Sequence, residues 1–256
     1  MNIKIIVAAH KPYFMPDDDM YLPLQVGSFE KEGIGFARDD TGDNISEKNP
    51  RFCELTGIYW AWKNLDCDYI GLSHYRRHFC FKKKGDVKKS ILKKEELVPI
   101  LDKYDVVLPK KRNYIIESLY SHYANTHSEE HLKIFKAVLS DLCPEYLDEF
   151  EALKKRRSGH MFNMFIMKKS LADNYFSFMF SVLFELEKRV DIEKESDFNK
   201  RMFGRISELM LDMWLRKNNI AYKEIPFIYT EKINLPLKIK KFLMAKFFKK
   251  SYDQSF

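Results

Sequence analysis

Residues 68–77, Asp68-Tyr69-Ile70-Gly71-Leu72-Ser73-His74-Tyr75-Arg76-Arg77, form the stretch on which the fold prediction depends. The run Asp68–Ser73 is short and apolar, as in a buried strand, and it ends in four polar or aromatic residues. Ile3–Ala9 has the same continuous apolar character, typical of a parallel strand covered on both faces, and it is followed by His10. Since ligands of open α/β sheets bind beyond the carboxyl ends of the strands, we expect His10 and His74 to face one site.

Strands and helices alternate along the rest of the chain, which favours an α/β fold with a mostly parallel central sheet flanked by helices. Loops are predicted over Tyr13–Pro23 and around Asp39–Ser46, which are rich in turn-forming residues. Further strands are predicted at Asp105–Pro109, Met161–Met167 and Tyr222–Phe227, and helices at Pro50–Asn64, Lys94–Lys103, Ser170–Val190 and about Phe198–Lys217. We expect a single domain over residues 1–236.

Composition excludes several classes of protein. The chain has 256 residues, 45% of them hydrophobic and 32% charged, which excludes a disordered chain. No apolar run approaches the ~20 residues of a membrane-spanning helix, and the first apolar run is too short for a signal peptide. The four cysteines show no C-x-x-C pairing and suggest no disulfide framework, so a reducing, cytoplasmic setting is expected.

The basic charge is concentrated in a C-terminal tail, residues 237–256, which holds six lysines and one aspartate, whereas the whole chain has a net charge of +7. Ile239, Phe242, Leu243 and Phe247 would share one face of a helix there. The tail is therefore predicted to bind an anionic membrane surface, giving a peripheral protein at the inner face of the membrane. The alternatives are a helix docked on the domain or a frayed end. Nucleic-acid binding is suggested only by the pI of about 9.0 and is not expected.

Arg76 and Arg77 are candidates for binding a diphosphate, because guanidinium groups are permanently charged and donate forked hydrogen bonds. The alternative is that one arginine pairs with a carboxylate and the other faces solvent. The acidic loop that starts at Asp39 does not match a calcium-binding EF-hand, which needs Gly and Glu where Asn44 and Pro50 stand. That loop is either a solvated turn or a contact to ribose or sugar hydroxyls.

The predicted helix near residues 201–216 carries charged residues on one stripe of an otherwise apolar surface: Arg201, Arg205, Glu208, Asp212 and Arg216. The carboxylates either pair with the arginines or line a cleft, where Glu208 could act as a general base. His127 and His131, and likewise His74 and His78, are spaced one helical turn apart, but no third metal ligand accompanies either pair. The sequence contains no nucleophile elbow, Walker A loop or G-x-G-x-x-G motif.

Several segments together resemble a family of bacterial capsular and exopolysaccharide glycosyltransferases that includes galactofuranosyltransferases and was formerly a domain-of-unknown-function family. They span about residues 1–230: Ala9-His10-Lys11, Pro23–Gly27, Asp39–Ser46, Glu54–Asn64, Tyr69–Arg77, Leu108-Pro109-Lys110, Asn163–Met167 and Arg201-x-x-Gly204-Arg205-Ile206-Ser207-Glu208. The resemblance implies a GT-A-like fold. It also implies transfer of a sugar, galactofuranose or galactose, from a UDP donor to a lipid-linked oligosaccharide of a surface polysaccharide, by an inverting reaction.

With this function, the candidate residues take expected roles. Glu208 is the expected catalytic base, with Asp212 as second choice. Donor contacts are expected from His10, Asp39, Asp40, Asn44, His74, Tyr75, Arg76 and Arg77, and acceptor contacts from Asn163, Arg201 and Arg205. Where GT-A enzymes typically carry a metal-binding Asp-x-Asp, this chain has His74-Tyr75-Arg76. No metal cofactor is therefore expected, although Asp39 and Asp40 offer an alternative site for manganese or magnesium.

A second function remains open from the sequence. The protein could instead be a non-catalytic carbohydrate-binding or scaffold protein, in which aromatic side chains such as Tyr59, Trp60 and Tyr75 stack on sugar rings.

Overall fold

A computed structural model describes residues 1–82 and 85–231; the predicted tail from Leu237 onward lies outside the described residues. The strands are β1 (Ile3–Ala9), β2 (Tyr21–Gln25), β3 (Ala37–Arg38), β4 (Tyr69–His74), β5 (Arg77–Phe79), β6 (Val106–Pro109), β7 (Arg112–Asn113), β8 (Ser158–Gly159), β9 (Phe165–Lys168), β10 (Lys223–Ile225) and β11 (Phe227–Tyr229). The α-helices are α1 (Asn49–Phe52), α2 (Leu55–Asn64), α3 (Lys94–Leu101), α4 (Leu119–Thr126), α5 (Glu129–Leu142), α6 (Leu147–Ala152), α7 (Lys169–Arg189) and α8 (Met202–Lys217).

The main sheet has the order β10-β6-β9-β4-β1-β2-β3. Along this path β1 pairs in parallel with β2 and β4, β2 with β3, and β6 with β10, whereas β9 runs antiparallel to both of its neighbours. β5 extends the sheet at the end of β4 and pairs with β11. The predicted α/β class with a mostly parallel central sheet is confirmed.

Two apolar cores lie on opposite faces of this sheet, and the alternation of side chains along β1 shows how the strands divide between them. Ile3, Ile5 and Val7 belong to one core, together with residues of α3 and β5. Ile6 and Ala8 belong to the larger core, which includes residues of α2, α5, α7 and α8. Burial on both faces explains why β1 is continuously apolar in sequence.

The structure differs from the sequence prediction in several places. Tyr13–Pro23 was predicted as a loop, yet its last residues form β2, where Pro23 is tolerated because β3 pairs only with Leu24 and Gln25, beyond it. The single helix predicted over Pro50–Asn64 is two helices, because Cys53 has a φ of 54° and interrupts the hydrogen-bond ladder. The strand predicted at Met161–Met167 is shorter and shifted, as β9. The last predicted strand, Tyr222–Phe227, divides at Pro226 into β10 and β11.

The topology brings several strand ends to one edge of the sheet. The register pairs Ala9 with Gln25 and Ala8 with His74, so β1, β2 and β4 end side by side. Because β9 is antiparallel to β4, the residues just before β9 lie at this same edge. The expected meeting of His10 and His74 at one edge is therefore confirmed. No helix in the described ranges is long and apolar enough to cross a membrane.

Candidate active site

A cavity of about 340 Å³ opens at this edge of the sheet. The residues that line it come from the ends of β1 and β4, from the α1–α2 junction, from α4 and α8, and from the segment that precedes β9. Among the described lining residues there are five arginines and two glutamates: Arg76, Arg77, Arg112, Arg201, Arg205, Glu54 and Glu208. The excess of positive charge suits an anionic ligand.

Four of the predicted donor contacts meet directly beyond β1 and β4. The ring of His10 packs edge-on against Tyr75, with 5.2 Å between ring centres, and burial together with the charge of Arg76 lowers the pKa of His10. Arg76 also pairs with Glu231 at 3.3 Å across the exposed rim. The guanidinium carbon of Arg77 lies 4.5 Å from the ring centre of Phe162. His10, Tyr75, Arg76 and Arg77 all line the cavity.

The break between α1 and α2 places Cys53 and Glu54 on the cavity wall. Asn163 donates a hydrogen bond to Glu54 Oε1 at 2.9 Å. Burial alone would raise the pKa of Glu54, but the charge of His74 and the bond from Asn163 outweigh it and hold that pKa below its usual value. His74 has a lowered pKa because burial and the charge of Arg77 outweigh the effect of Glu54. Asn163 therefore holds Glu54 and does not itself line the cavity.

Helix α8 and its N-cap residue form another wall, which includes Arg201, Arg205 and Glu208. Arg205 Nη1 donates to Glu208 Oε1 at 3.1 Å, which is the ion pair that the sequence left as the alternative to a catalytic base. Helix α8 approaches the α1–α2 junction closely at Gly204, where an added Cβ would lie 3.1 Å from Cβ of Cys53. An added Cβ at position 204 would fit only if Cys53 gave way by a few tenths of an ångström, so the close approach favours glycine.

Helix α4 contributes a wall that the sequence analysis did not identify. One face of the helix and the residue after it line the cavity: Leu119, His122, Tyr123, Thr126 and His127. The spacing i, i+3, i+4, i+7, i+8 is that of one helical face. The signal in the sequence is the group of histidines and tyrosines between Tyr114 and His131. The ring of Tyr114 lies 4.1 Å from that of His122, and Phe198 stacks on His127 at 4.7 Å.

Strained backbone is concentrated around the cavity. Cys53, Ile115, Phe162 and Asn163 all have φ between 54° and 74°, a region that non-glycine residues rarely adopt. Cys53 and Phe162 line the cavity, and the other two residues adjoin lining residues. Such strain persists only where the surrounding structure enforces it, and it is found preferentially at functional sites.

Asp39, a predicted donor contact, is fully buried away from the cavity. Its carboxylate accepts hydrogen bonds from the backbone amides of Gly27 at 2.8 Å and Ser28 at 2.9 Å. It also accepts bonds from the hydroxyls of Ser28, Ser46 and Thr56 at 2.5 to 3.0 Å. The structure therefore makes Asp39 the centre of a hydrogen-bond network that ties the loop after β2 to α2.

Other candidates also lie outside the cavity lining. Asp40 pairs with Arg38 at 2.6 Å, and Asn44 donates to the carbonyl of Gly42 within its own turn. Asp212 is buried against His160 Nδ1 at 2.6 Å and Arg156 at 3.0 Å. None of these three residues is among those that line the cavity.

Of the three aromatic residues predicted to stack on sugar rings, one lines the cavity and two lie outside it. Tyr75 lines the cavity. Tyr59 packs edge-on against Phe180 and Trp60 is buried, so both belong to the larger core.

The described residues do not supply a metal site at Asp39 and Asp40. Asp39 uses both carboxylate oxygens to accept bonds from five donors, and Asp40 is held by Arg38. Within residues 1–82 and 85–231, no group of three or more histidine, cysteine or acidic side chains is arranged to hold a metal ion. The position after β4 offers guanidinium groups in place of carboxylates. A divalent metal ion does not fit the residues at either position.

Comparisons with known proteins place this chain in a family. A family model described as a domain of unknown function, DUF4422, matches residues 4–219. The chain belongs to the DUF4422 family. A search of curated proteins found no match to this chain.

The DUF4422 chain also resembles a solved structure described as the apo structure of the bifunctional glycosyltransferase WbbM, with a TM-score of 0.84 and 30% sequence identity. The match covers 91% of the DUF4422 chain and 46% of that structure, so the chain spans about half the length of the protein it resembles. This likeness confirms the glycosyltransferase-like fold expected from the sequence.

Proposed function

We propose that this DUF4422 protein is a glycosyltransferase that moves a sugar from a UDP donor to an acceptor hydroxyl. The observation that carries the proposal is the arginine-rich cavity beyond the carboxyl ends of β1 and β4, in a fold shared with WbbM. Doubly negative diphosphates are bound where fixed positive groups surround a cavity at this edge of an α/β sheet.

Arg76 and Arg77 are proposed to bind the donor diphosphate. In an inverting transfer the bond between the sugar and the diphosphate breaks and negative charge grows on the departing UDP. Guanidinium groups fixed in the site stabilise that charge without further rearrangement, as a metal ion would. His10, His74 and Tyr75 line the same end of the cavity and are proposed to contact the donor.

Arg201 and Arg205 lie on the wall formed by α8 and are proposed to face the acceptor. The transfer also needs a group that takes the proton of the acceptor hydroxyl. Glu208 is the base expected from the sequence, and it lines the cavity while paired with Arg205. Glu54 and His122 are two further side chains of the wall that could accept a proton.

The finer identity of the substrates rests on the sequence resemblance. We propose galactofuranose or galactose as the transferred sugar, and a lipid-linked oligosaccharide of a surface polysaccharide as the acceptor. Such an acceptor is found at a bilayer, to which the basic residues 237–256 would bring the enzyme.

Deleting residues 237–256 should abolish sedimentation with anionic vesicles at low salt and spare turnover of a short soluble acceptor. Unchanged sedimentation of the truncated protein would refute the role of these residues as a membrane anchor.

A screen of nucleotide sugars by thermal shift tests the proposed function. A ligand present at 100 times its dissociation constant adds about 2.7 kcal/mol to the free energy of unfolding, so a bound donor raises the melting temperature measurably. UDP and a UDP-sugar should stabilise the protein, whereas uridine without phosphates should not. If no nucleotide or nucleotide sugar shifts the transition, the proposal fails.

One observation favours a second candidate, a carbohydrate-binding protein without catalysis. Part of the cavity wall is aromatic: Tyr114, Tyr123, Phe162 and Phe198. Aromatic faces bind sugar rings by stacking, in the absence of any reaction. This candidate predicts stabilisation by free oligosaccharides and no release of UDP from any donor.

A further inference from the structure

Glu117 and His122 form a hydrogen-bonded pair beside the cavity. Glu117 lies just before the N-cap of α4, Ser118, whose hydroxyl accepts a bond from the amide of Ser121 at 3.0 Å. One turn into the helix, His122 Nδ1 lies 2.8 Å from Glu117 Oε2. Asn125 Nδ2 donates to the other carboxylate oxygen at 3.0 Å. The N-cap and the first turns of α4 thus fix the positions of Glu117 and His122 relative to each other.

Burial differs between the two members of the pair. The side chain of Glu117 is only 4% exposed, whereas that of His122 is 20% exposed and lines the cavity. The carboxylate is therefore behind the imidazole as seen from the cavity. The ring of Tyr114 packs against the imidazole at 4.1 Å and limits its rotation.

The hydrogen bond determines where the proton of the imidazole is. An ionised carboxylate only accepts hydrogen bonds, so His122 Nδ1 must carry the proton that is donated to Glu117. Nε2 is then the basic nitrogen of the neutral ring. A buried carboxylate that fixes the tautomer in this way, and stabilises the imidazolium once Nε2 takes a proton, is the arrangement found behind histidine general bases.

Three other acid–base groups of the cavity are engaged differently. Glu208 is ion-paired with Arg205, and Glu54 has a pKa held low by His74 and Asn163, which weakens it as a base. His127 stacks on Phe198, and burial lowers its pKa to about 3. Of these groups, His122 is the one hydrogen-bonded to a buried carboxylate.

We propose that His122 is the general base of the transfer, that Glu117 is its positioning residue, and that Glu208 serves to hold Arg205. The inference rests on the proposed function. The acceptor oxygen forms a bond to the anomeric carbon, the bond from that carbon to the diphosphate oxygen breaks, and its electron pair leaves with UDP. The proton of the acceptor hydroxyl passes to His122 Nε2, and the resulting imidazolium is paired with Glu117.

The test is chemical rescue of a His122→Ala variant. Transfer from a UDP-sugar to a soluble acceptor is measured for the wild type and the variant, with and without added imidazole. The variant should lose about 10²- to 10⁴-fold in kcat, the usual contribution of a general base, while its affinity for UDP stays near that of the wild type. Added imidazole should restore part of the lost rate, because free imidazole can enter the space and take the proton.

Two further variants sharpen the test. His127→Ala is the matched control, since it removes a histidine from the same wall, and imidazole should not raise its rate. Glu117→Gln should lower kcat by up to about 10⁴-fold, the loss expected when the carboxylate behind a histidine general base is replaced by its amide, with little change in KM. The amide introduced by this substitution could donate to His122 Nδ1 and so favour the wrong tautomer, an effect that a purely structural role would not produce in kcat alone.

The outcomes distinguish a failure of the proposed function from a failure of the base assignment alone. If the wild type transfers no sugar, the proposed function fails and the base assignment fails with it. If the wild type is active and His122→Ala keeps most of its rate, or is folded and inactive but not rescued by imidazole, the base assignment alone is overturned. Rescue of His127→Ala to the same extent would also overturn it, because imidazole would then act without regard to the site.

Discussion

Replacing Asp39 should lower the stability of the protein and leave its affinity for UDP almost unchanged. The side chain is fully buried and lies outside the cavity lining, so it has no direct route to the ligand. We expect Asp39→Ala to be strongly destabilised. The sequence alone predicts a different role for Asp39, a contact to the donor.

The size of the effect follows from the donors that would lose their acceptor. The hydroxyl of Ser28 has a second acceptor in the carbonyl of Gln25, and that of Thr56 in the carbonyl of Cys53. The backbone amides of Gly27 and Ser28 have no such freedom to turn. Each buried donor left unsatisfied costs about 1–3 kcal/mol, so the two amides together cost about 2–6 kcal/mol. The buried hydroxyl of Ser46, which also donates to Asp39, adds to that cost.

The free energy of unfolding is measured by urea titration, and the affinity for UDP by calorimetry on the folded variant. Asp40→Ala is the matched control, because the neighbouring carboxylate pairs only with a partly exposed arginine and should contribute little. The reasoning is refuted if Asp39→Ala is as stable as the wild type, or if the folded variant loses its affinity for UDP.

Three further predictions concern the site and its support. Arg76→Ala and Arg77→Ala should each weaken UDP binding by about 1.5–3 kcal/mol in calorimetry, the range for a charged hydrogen bond. Arg216→Ala is the control and should not weaken binding, because Arg216 lies on an exposed face outside the cavity. Unchanged affinity in both Arg76→Ala and Arg77→Ala would refute the assignment of these residues to the diphosphate. Sugar transfer should survive EDTA, because guanidinium groups follow β4 where a metal-binding Asp-x-Asp would otherwise lie; complete loss of activity that manganese restores would contradict this. Burial would raise the pKa of Asp212, but His160 and Arg156 outweigh it and hold that pKa low. Asp212 therefore stabilises the fold above the ordinary aspartate pKa of about 4, and this contribution is lost as the pH falls through the lowered value. The stability difference between wild type and Asp212→Asn should be full at pH 7 and shrink in acid, and a pH-independent difference would speak against the buried pairing.

The main features of the fold could be predicted because they depend on local patterns. β1 and β4 are continuously apolar in sequence because both faces of the sheet are covered, and their polar ends mark the edge where the cavity lies. The division of one predicted helix at Cys53 could not be predicted, because a positive φ at a cysteine reflects tertiary packing that no local pattern encodes. The same break brings Glu54 to the cavity.

The site was predicted in part, for a related reason. His10, Tyr75, Arg76 and Arg77 follow strands directly, so their place follows from topology alone. The roles of the carboxylates were harder to predict. An acidic loop or a charged helical stripe has the same sequence pattern whether its carboxylates are buried in internal pairs or face a ligand. Asp39 and Asp212 proved to be held by buried donors that are distant in sequence. His122 was within reach of sequence reasoning, because it shares one helical face with Leu119 and Tyr123.

Turnover of a labelled UDP-sugar distinguishes a glycosyltransferase from a carbohydrate-binding protein. The protein, residues 1–256, is incubated with UDP-galactose or UDP-galactofuranose and an oligosaccharide acceptor, and the products are identified by mass. We expect an acceptor heavier by one hexose together with an equal amount of UDP, and we expect both products to be strongly reduced in the double variant of Arg76 and Arg77. An acceptor that binds the protein and is recovered unchanged, with no UDP released from any donor, would contradict the proposed glycosyltransferase function and favour a carbohydrate-binding protein.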